Sequence, residues 1–174
     1  MTLSMSIRPE SPKDRLGIHQ VTELAFGRAE EADLVDCLRA SDAWVPGLSL
    51  VAEGEDGQLI GHLLLSYVTL ATVDGLQRVL SLAPVAVEPA HQRQGVGTAL
   101  IRAAIDAAEA REEPLVVVLG HPWYYPRFGF EPAFRSGIES PRPVPDHFFM
   151  VRRLARWSPK LRGRIEYPAC FDGL

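Results

Sequence analysis

The chain has 174 residues, of which 47% are hydrophobic, and a formal net charge of −4 at pH 7. This length and composition predict a single domain, residues 1–174, that buries a core of its own. The net negative charge and the lack of any Lys/Arg run argue against a basic surface for nucleic acid or anionic lipid.

The N-terminal segment and the two cysteines bear on location and on metal binding. Residues 1–15 soon become charged and contain no apolar signal region, and no apolar run reaches the ~20 residues that a membrane span requires. We therefore expect a cytoplasmic protein. Cys37 and Cys170 lie far apart and in no CxxC or His-rich context, so we expect neither a disulfide nor a metal site and interpret both as packing residues.

Two helices are predicted in the first quarter of the chain. The stretch Ser11-Pro12-Lys13-Asp14 supplies a helix N-cap, a proline at the first helical position and an acidic residue for the first turn. Apolar residues then recur at helical spacing until Gly27, which is a typical left-handed stop. A second helix is predicted over 29–40, followed by a loop over 41–47.

The middle of the chain predicts an antiparallel meander. Branched and apolar residues dominate three runs, 48–52, 59–70 and 78–88. The turn residues Glu55-Asp56-Gly57 and Asp74-Gly75 separate these runs, so we expect three consecutive strands joined by short hairpin turns.

A βαβ unit is predicted at the end of the meander. A helix is expected from the glycines near residue 95 to about Arg111, and Leu115–Leu119 is short and β-branched, as buried strands are. A strand, a helix and a second buried strand in this order place the two strands parallel. The runs 130–134 and 148–154 are interpreted as closing strands, and the tail is expected to be irregular.

Gly95 and Gly97 leave the backbone bare at the junction between the meander and this helix. A helix that begins this way directs unpaired N–H groups outward at the positive end of its dipole, which makes an anion site. Glycine also lets the backbone approach a bulky phosphate closely. A Walker A loop is disfavoured because no Lys-Ser/Thr pair follows the glycines. A dinucleotide fingerprint is disfavoured because the third small residue of its GxGxxG/A pattern is missing.

The same stretch, read from Gln92 to Gly97, resembles the Q/R-x-x-G-x-G/A signature of the GCN5-related N-acetyltransferase (GNAT) family. A second block, Tyr125 to Phe130, resembles the family's Y-x-x-F-G-F. The resemblance implies an α/β (α+β) GNAT-like fold: a mixed, mostly antiparallel central sheet with a parallel βαβ unit at a splayed strand pair and helices on both faces. It also implies acetyl-CoA as co-substrate, held by Gln92, Arg93, Gln94, Gly95, Val96, Gly97 and Thr98.

Pro84 indicates where the sheet opens. Proline has no N–H for a strand ladder, so within sheets it is confined to edges and bulges. A strand that parts from its neighbour here leaves backbone groups that need other partners. In the family, the amide-bearing pantetheine arm of CoA lies in this gap, and the resemblance implies that Val85 and Val87 offer it backbone hydrogen bonds.

Acetyl transfer to an amine requires a neutral amine, a donor for the oxyanion and a way to neutralise the departing thiolate. By resemblance to the family, Tyr125 is the general acid for the thiolate. The spacing to Phe128 favours Tyr125 over the adjacent Tyr124. A backbone N–H near Val85 is the oxyanion donor that the family implies.

The general base is left open. Glu23, near the end of the first helix, is the preferred candidate because that helix and the following loop form the acceptor side in the family. Its interpretation as an ordinary exposed helix acid also stays open. Ser81, His62 and His121 are further candidates.

The sequence does not identify the acceptor. Four side chains either wall an acceptor pocket or seal the core: Trp44, Pro46, Trp123 and Tyr124. We predict an N-acetyltransferase that acts on a small-molecule amine or a protein amino group, with no metal, nucleic-acid or membrane partner and with a homodimer as an open alternative. The alternative function is a non-catalytic acyl-CoA-binding or sensing module.

Overall fold

The computed structural model describes residues 2–174. Within them, no helix is both long enough and apolar enough to cross a membrane. The helices are α1 (Arg15–Phe26), α2 (Glu30–Arg39) and α3 (Val96–Ala110). The strands are β1 (Met5–Pro9), β2 (Ser49–Gly54), β3 (Leu59–Thr72), β4 (Gly75–Val87), β5 (Leu115–Leu119), β6 (Glu131–Pro132), β7 (Ile138–Glu139), β8 (Phe149–Arg153) and β9 (Gly163–Glu166). Short 3-10 helices occupy several of the connections.

The first α-helix ends at the predicted Gly27 but begins at Arg15, three residues after the predicted Pro12, because the stretch capped by Ser11 folds as a 3-10 turn. The Ser11 N–H donates to Asp14 Oδ2 at 2.7 Å, and the Asp14 N–H donates to the Ser11 carbonyl at 2.9 Å. These two bonds close a 3-10 turn that leads into α1. At the other end, Gly27 takes a left-handed φ of 69° and its N–H donates to the Glu23 carbonyl.

The strands form one mixed sheet of nine strands. The order is β1-β2-β3-β4-β5-β8-β6, and β9 pairs with both β3 and β7. The pairing of β4 with β5 is parallel and joins Leu80 to Val116 and Ser81 to Val117. The pairs β1–β2, β2–β3 and β5–β8 are antiparallel. The predicted fold class, a mostly antiparallel sheet with a parallel βαβ unit, is confirmed.

The described chain divides into two compact units, and the prediction of a single domain stays a prediction. The first unit comprises 2–66, Ala83–Ala107 and Cys170–Leu174. It contains β1, β2, α1 and α2. Its fully buried side chains include Ile18, Leu38, Leu63, Leu65, Leu100 and Ile101.

Gly61 of β3 allows α3 to approach the strand closely within this first unit. A Cβ at position 61 would lie 2.9 Å from Val96 Cγ1 and 3.0 Å from Leu100 Cδ1. No side chain other than hydrogen fits there without displacing the helix or its side chains. The first turns of α3 can therefore pack directly on the β3 backbone at Gly61.

The second unit comprises Tyr67–Leu82 and Ala108–Ala169. Its core is formed by branched and aromatic side chains, among them Val79, Leu115, Val117, Phe149, Val151 and Ile165. The antiparallel register between β5 and β8 runs from Leu115 opposite Arg153 to Leu119 opposite Phe149. Because β5 is buried along most of its length, it shows the uniform branched composition from which the strand was predicted.

Two predictions for the last third of the chain are wrong in part. The run 130–134 contains only the two-residue strand β6, because the backbone then turns into the 3-10 helix Ala133–Ser136 and ends at Gly137 with a φ of 72°. The tail is not wholly irregular, since β9 pairs with β3 through Leu70 and Ile165. A four-residue strand is too short to show a clear alternation in sequence.

The prediction for the cysteines is also wrong. Cys37 and Cys170 form a disulfide with Cα atoms 5.8 Å apart and a sequence separation of 133 residues. The fold returns Cys170 and the residues after it to the first unit, where the disulfide joins them to α2. A contact over this separation leaves no local signal in the sequence.

Candidate functional site

The loop before α3 has the backbone conformation of an anion cradle. Arg93 and Gly95 both adopt left-handed conformations, with φ angles of 59° and 89°. Gln92, Arg93, Gln94 and Gly95 are exposed, and the 15-residue helix α3 begins directly after them. Left-handed residues next to a helix start turn successive N–H groups toward one point, where an anion is stabilised by the helix dipole.

Two side chains of this loop bind back to the backbone. Gln92 Nε2 donates to the Val87 carbonyl at 3.1 Å, and Gln94 Nε2 donates to the Ala90 carbonyl at 3.0 Å. Both contacts are exposed. They tie both glutamine side chains to the backbone of the segment that precedes the loop.

The backbone of β4 explains which residues can bind a ligand next to this loop. The Glu88 N–H donates to the Ile60 carbonyl at 2.9 Å, so Glu88 faces β3. Successive residues of an extended strand direct their backbone groups to opposite sides, and Val87 and Val85 therefore direct theirs away from β3. The bond from Gln92 to the Val87 carbonyl is consistent with this direction.

The parallel pairing of β4 with β5 is recorded at Leu80 and Ser81, before the proline. Pro84 follows Ala83 through a cis peptide bond. The parting of the two strands beyond Pro84 stays a prediction.

Tyr125 is almost entirely buried in the second unit. It begins the 3-10 helix Tyr125–Phe128 and is 7% exposed. Its ring meets Tyr124 and Phe130 edge-on, with centroids 5.2 and 5.6 Å away. Burial, with a smaller contribution from Tyr124, raises the pKa of Tyr125 to about 12, which keeps the hydroxyl protonated at all ordinary pH values.

Tyr124 differs from Tyr125 in its surroundings. It is half-buried, and the Arg127 guanidinium lies 4.7 Å from its ring centroid. Arg127 Nε also donates to the Tyr124 carbonyl at 2.9 Å. Tyr124 is therefore held by a cation on its ring, whereas Tyr125 is enclosed by other aromatic rings.

Gly120 is a residue of this site that the sequence did not reveal. A Cβ at position 120 would lie 2.3 Å from Tyr125 Cε2 and 2.9 Å from Tyr125 Cδ2. The tyrosine ring thus rests directly on the glycine backbone. The only signal in the sequence is the glycine after β5, which by itself also fits an ordinary turn.

The candidate bases occupy very different environments. Glu23 is exposed on α1, and His121 is exposed and stacks on Trp123 at 4.7 Å. Ser81 is buried in the second unit. His62 is fully buried in the first unit, and burial lowers its pKa to about 4.

His62 belongs to a buried polar network of the first unit. The Ser49 hydroxyl donates to Glu10 Oε2 at 2.5 Å, so Ser49 accepts the proton of His62 Nε2 at 2.8 Å. Arg39 Nε and Nη2 donate to the same carboxylate at 2.8 and 3.0 Å. These bonds give His62 a structural role in the core.

The residues predicted either to wall an acceptor pocket or to seal the core also differ in exposure. Trp44 is half-buried beneath the Arg39 guanidinium, and Pro46 is exposed in the turn after α2. Trp123 is 70% exposed, and its ring meets Phe148 edge-on at 6.1 Å.

The first unit contains a polar cleft of about 620 Å³ that none of the predicted site residues lines. Arg8 forms one wall and donates to Asp14 Oδ2 at 2.7 Å and to Glu53 Oε2 at 2.6 Å. This guanidinium holds the pKa of Asp14 well below its usual range. Gly17 and Leu59 also line the cleft, and a Cβ at position 17 would lie 3.1 Å from Leu59 Cδ1.

Comparison with known proteins identifies the family of this chain. A family model described as an acetyltransferase (GNAT) domain matches residues 6–133. The chain belongs to the GNAT acetyltransferase family. As a member of this family it is an acyltransferase, as predicted.

Similar GNAT proteins are known from Escherichia coli and Brucella melitensis. The uncharacterized N-acetyltransferase YjhQ of E. coli K12 is 38% identical over 156 residues, which cover 87% of this chain and 86% of YjhQ. A crystal structure of E. coli YhbS in complex with CoA has a TM-score of 0.89 at 32% identity and covers 99% of this chain and 94% of that chain. A B. melitensis GNAT acetyltransferase in complex with acetyl-CoA has a TM-score of 0.78 at 34% identity, covering 97% and 99%.

Proposed function

We propose that this GNAT protein transfers an acetyl group from acetyl-CoA to an amine. The observation that carries the proposal is the exposed loop before α3, where Arg93 and Gly95 turn the backbone into an anion cradle. The CoA and acetyl-CoA complexes of the two relatives support acetyl-CoA as the donor. In this proposal, residues Gln92 to Thr98 bind the pyrophosphate through backbone N–H groups.

Val85 and Val87 are proposed to bind the pantetheine arm through their backbone. Both residues direct their N–H and carbonyl groups away from β3, as the bond between Glu88 and Ile60 indicates. An amide-bearing arm placed along this side of β4 would complete their hydrogen bonds. The Gln92 side chain would then release the Val87 carbonyl or share it with the arm.

Tyr125 is proposed as the general acid for the CoA thiolate. Because its pKa is raised to about 12, its hydroxyl remains a donor while negative charge develops on the sulfur. The rigid aromatic surroundings fix the direction of this donor. Tyr124 is the less suitable donor, because its ring is engaged by Arg127.

Glu23 is proposed as the group that removes the proton of the amine. It lies in the last turns of α1, exposed to water, and can return protons to the solvent. His62 is a poor base for the acceptor, because its imidazole is fully buried and its Nε2 is bonded to Ser49. The acceptor is a small-molecule amine or a protein amino group.

Acetyl-CoA turnover in Tyr125→Phe and Tyr124→Phe tests the assignment of the general acid. Loss of the Tyr125 hydroxyl should lower kcat by roughly 10²-fold with little change in acetyl-CoA binding, whereas Tyr124→Phe should remain within a few-fold of the wild type. A normal Tyr125→Phe enzyme would exclude the role. Glu23→Gln should lower kcat/KM for the amine and leave acetyl-CoA binding unchanged.

Calorimetry of CoA binding to Gly97→Glu tests the donor site independently of turnover. A glutamate at the first turn of α3 adds bulk and negative charge where the phosphates would bind, so CoA affinity should fall by at least roughly 10²-fold. Unchanged affinity in the folded variant would remove the loop from the site. Binding of acetyl-CoA without turnover on any amine of a broad acceptor screen would favour a sensing module.

A further inference from the structure

The disulfide between Cys37 and Cys170 lies near the surface of the first unit. Cys37 is exposed on α2, and Cys170 is half-buried in the 3-10 helix Ala169–Gly173. Exchange with an external thiol requires that the incoming thiolate reach one of the two sulfur atoms. The exposed position of Cys37 offers this access, and exposed disulfides are the ones that exchange readily.

The disulfide holds the C-terminal segment 169–174. Phe171 is the buried side chain of this segment, and its other five residues are exposed or half-buried. The Leu174 N–H donates to the Phe171 carbonyl at 3.2 Å, a bond within the segment itself. Chain ends are usually disordered unless they are tied down, and the disulfide ties this segment covalently to α2.

We propose that the Cys37–Cys170 disulfide is a thiol-controlled tether that docks the segment 169–174 beside α2 when oxidised and releases it when reduced. An external thiolate attacks the exposed Cys37 sulfur, the S–S bond breaks, and Cys170 leaves as a thiolate that takes up a proton. A second external thiol resolves the mixed disulfide. The sum is two protein thiols and one external disulfide for two external thiols consumed, and a disulfide of the same class reverses it.

At its other end the tether is attached to α2 through Cys37. Cys37 lies between Asp36 and Leu38, and Leu38 is fully buried in the first unit. Arg39, two residues further, binds both Asp36 and Glu10. Release of the C-terminal segment therefore alters the surroundings of α2 while the buried network continues to hold it in place.

Control of catalysis by this tether rests on the proposed function, in which Glu23 of α1 removes the proton of the amine, because α1 packs against α2. Reduction should then raise the KM for the amine acceptor and leave the affinity for acetyl-CoA unchanged. The acetylated product should be measured by mass spectrometry, because reagents that detect thiols would also react with the buffer and with the freed cysteines.

Hydrogen–deuterium exchange of the full chain, in glutathione buffers of graded redox ratio, tests the tether without any need for turnover. The fraction of free thiols is measured in parallel by alkylation of the folded protein. Amides of 169–174 should exchange at least roughly tenfold faster once the thiols form, while amides of β5 remain protected. Reoxidation should restore the slow exchange.

The two cysteines are the only ones in the chain, which allows a matched control. The double variant Cys37→Ser/Cys170→Ser should show fast exchange over 169–174 in every buffer. If this variant does not fold, reduction of the folded wild type, monitored by circular dichroism, still decides the matter. Equal protection of the segment in oxidised and reduced protein would overturn the tether, as would thiols that form only after denaturation. Full release with an unchanged acceptor KM would overturn the control of catalysis alone.

Discussion

Replacement of Gly120 by alanine should impair the proposed catalytic role of Tyr125 although the tyrosine itself is not substituted. The new Cβ would lie 2.3 Å from Tyr125 Cε2, whereas ordinary van der Waals contact begins at 3.4 Å. The backbone of Gly120 has no left-handed φ, so alanine adds a steric conflict and no conformational strain. Because the ring is buried against Tyr124 and Phe130, it can yield only by tilting its hydroxyl away.

The size of the effect follows from this overlap. Subtracting 2.3 from 3.4 Å leaves about 1.1 Å through which the ring must move. A displacement of ~1 Å at a catalytic group typically lowers the rate by roughly 10²-fold. We therefore expect kcat of Gly120→Ala to fall by about this factor, with the KM for acetyl-CoA within ~2-fold of the wild type.

Steady-state kinetics with a direct measurement of acetylated product provides the assay. Gly173→Ala is the matched control, because a Cβ at that position meets no atom within 4 Å. The double variant Gly120→Ala/Tyr125→Phe should be no slower than the slower single variant, since both changes remove one donor. A folded Gly120→Ala enzyme with normal kcat would refute the steric argument, and additive losses in the double variant would show that Gly120 acts through something other than Tyr125.

Three further predictions concern stability and ligand binding. Because the pKa of His62 lies near 4 when folded and near 6.5 when unfolded, the unfolded chain takes up a proton first, and about 3 kcal/mol of stability should be lost as pH falls from 6.5 to 4. For His62→Gln, the unfolding free energy measured with urea should depend less steeply on pH across this range than it does for the wild type. Gly163→Ala, whose Cβ would lie 1.8 Å from the Ala71 carbonyl at a φ of 151°, should lose roughly 2–4 kcal/mol of unfolding free energy, against little change for Gly173→Ala. Amides of Val85 and Val87 should gain exchange protection when CoA binds, and protection limited to 95–98 would contradict pairing of the pantetheine arm with β4.

Local chemistry made much of this fold predictable. The stretch Ser11–Asp14 and Gly27 mark the two ends of α1 through bonds between residues only three or four positions apart. The parallel pairing of β4 and β5 follows from the order strand, helix, strand, which admits almost no other connection. Gly95 and its neighbours carry their own signal, because a bare backbone at a helix start has few other uses.

Long-range contacts account for what the sequence did not predict. The Cys37–Cys170 bond spans 133 residues, and β9 pairs with a strand almost a hundred positions earlier in the chain, at a length that shows no alternation. Gly120 looks like any turn glycine until the Tyr125 ring is placed on it. The polar network around His62 likewise joins Ser49 of β2, Glu10 after β1 and Arg39 of α2, so the burial of His62 could not be inferred from its sequence neighbours.

The absence of a side chain at Gly61 limits which combinations of residues evolution can place at positions 61, 96 and 100. Val96 and Leu100 occupy the volume that a Cβ at position 61 would take, so these three positions share one fixed space. A homologue that acquires alanine at 61 should compensate with a smaller residue at 96 or 100, and paired substitutions should be fitter than either single change in a deep mutational scan. The loop before α3, which is proposed to bind the pyrophosphate, would then be under selection through Gly61, a strand residue outside that loop.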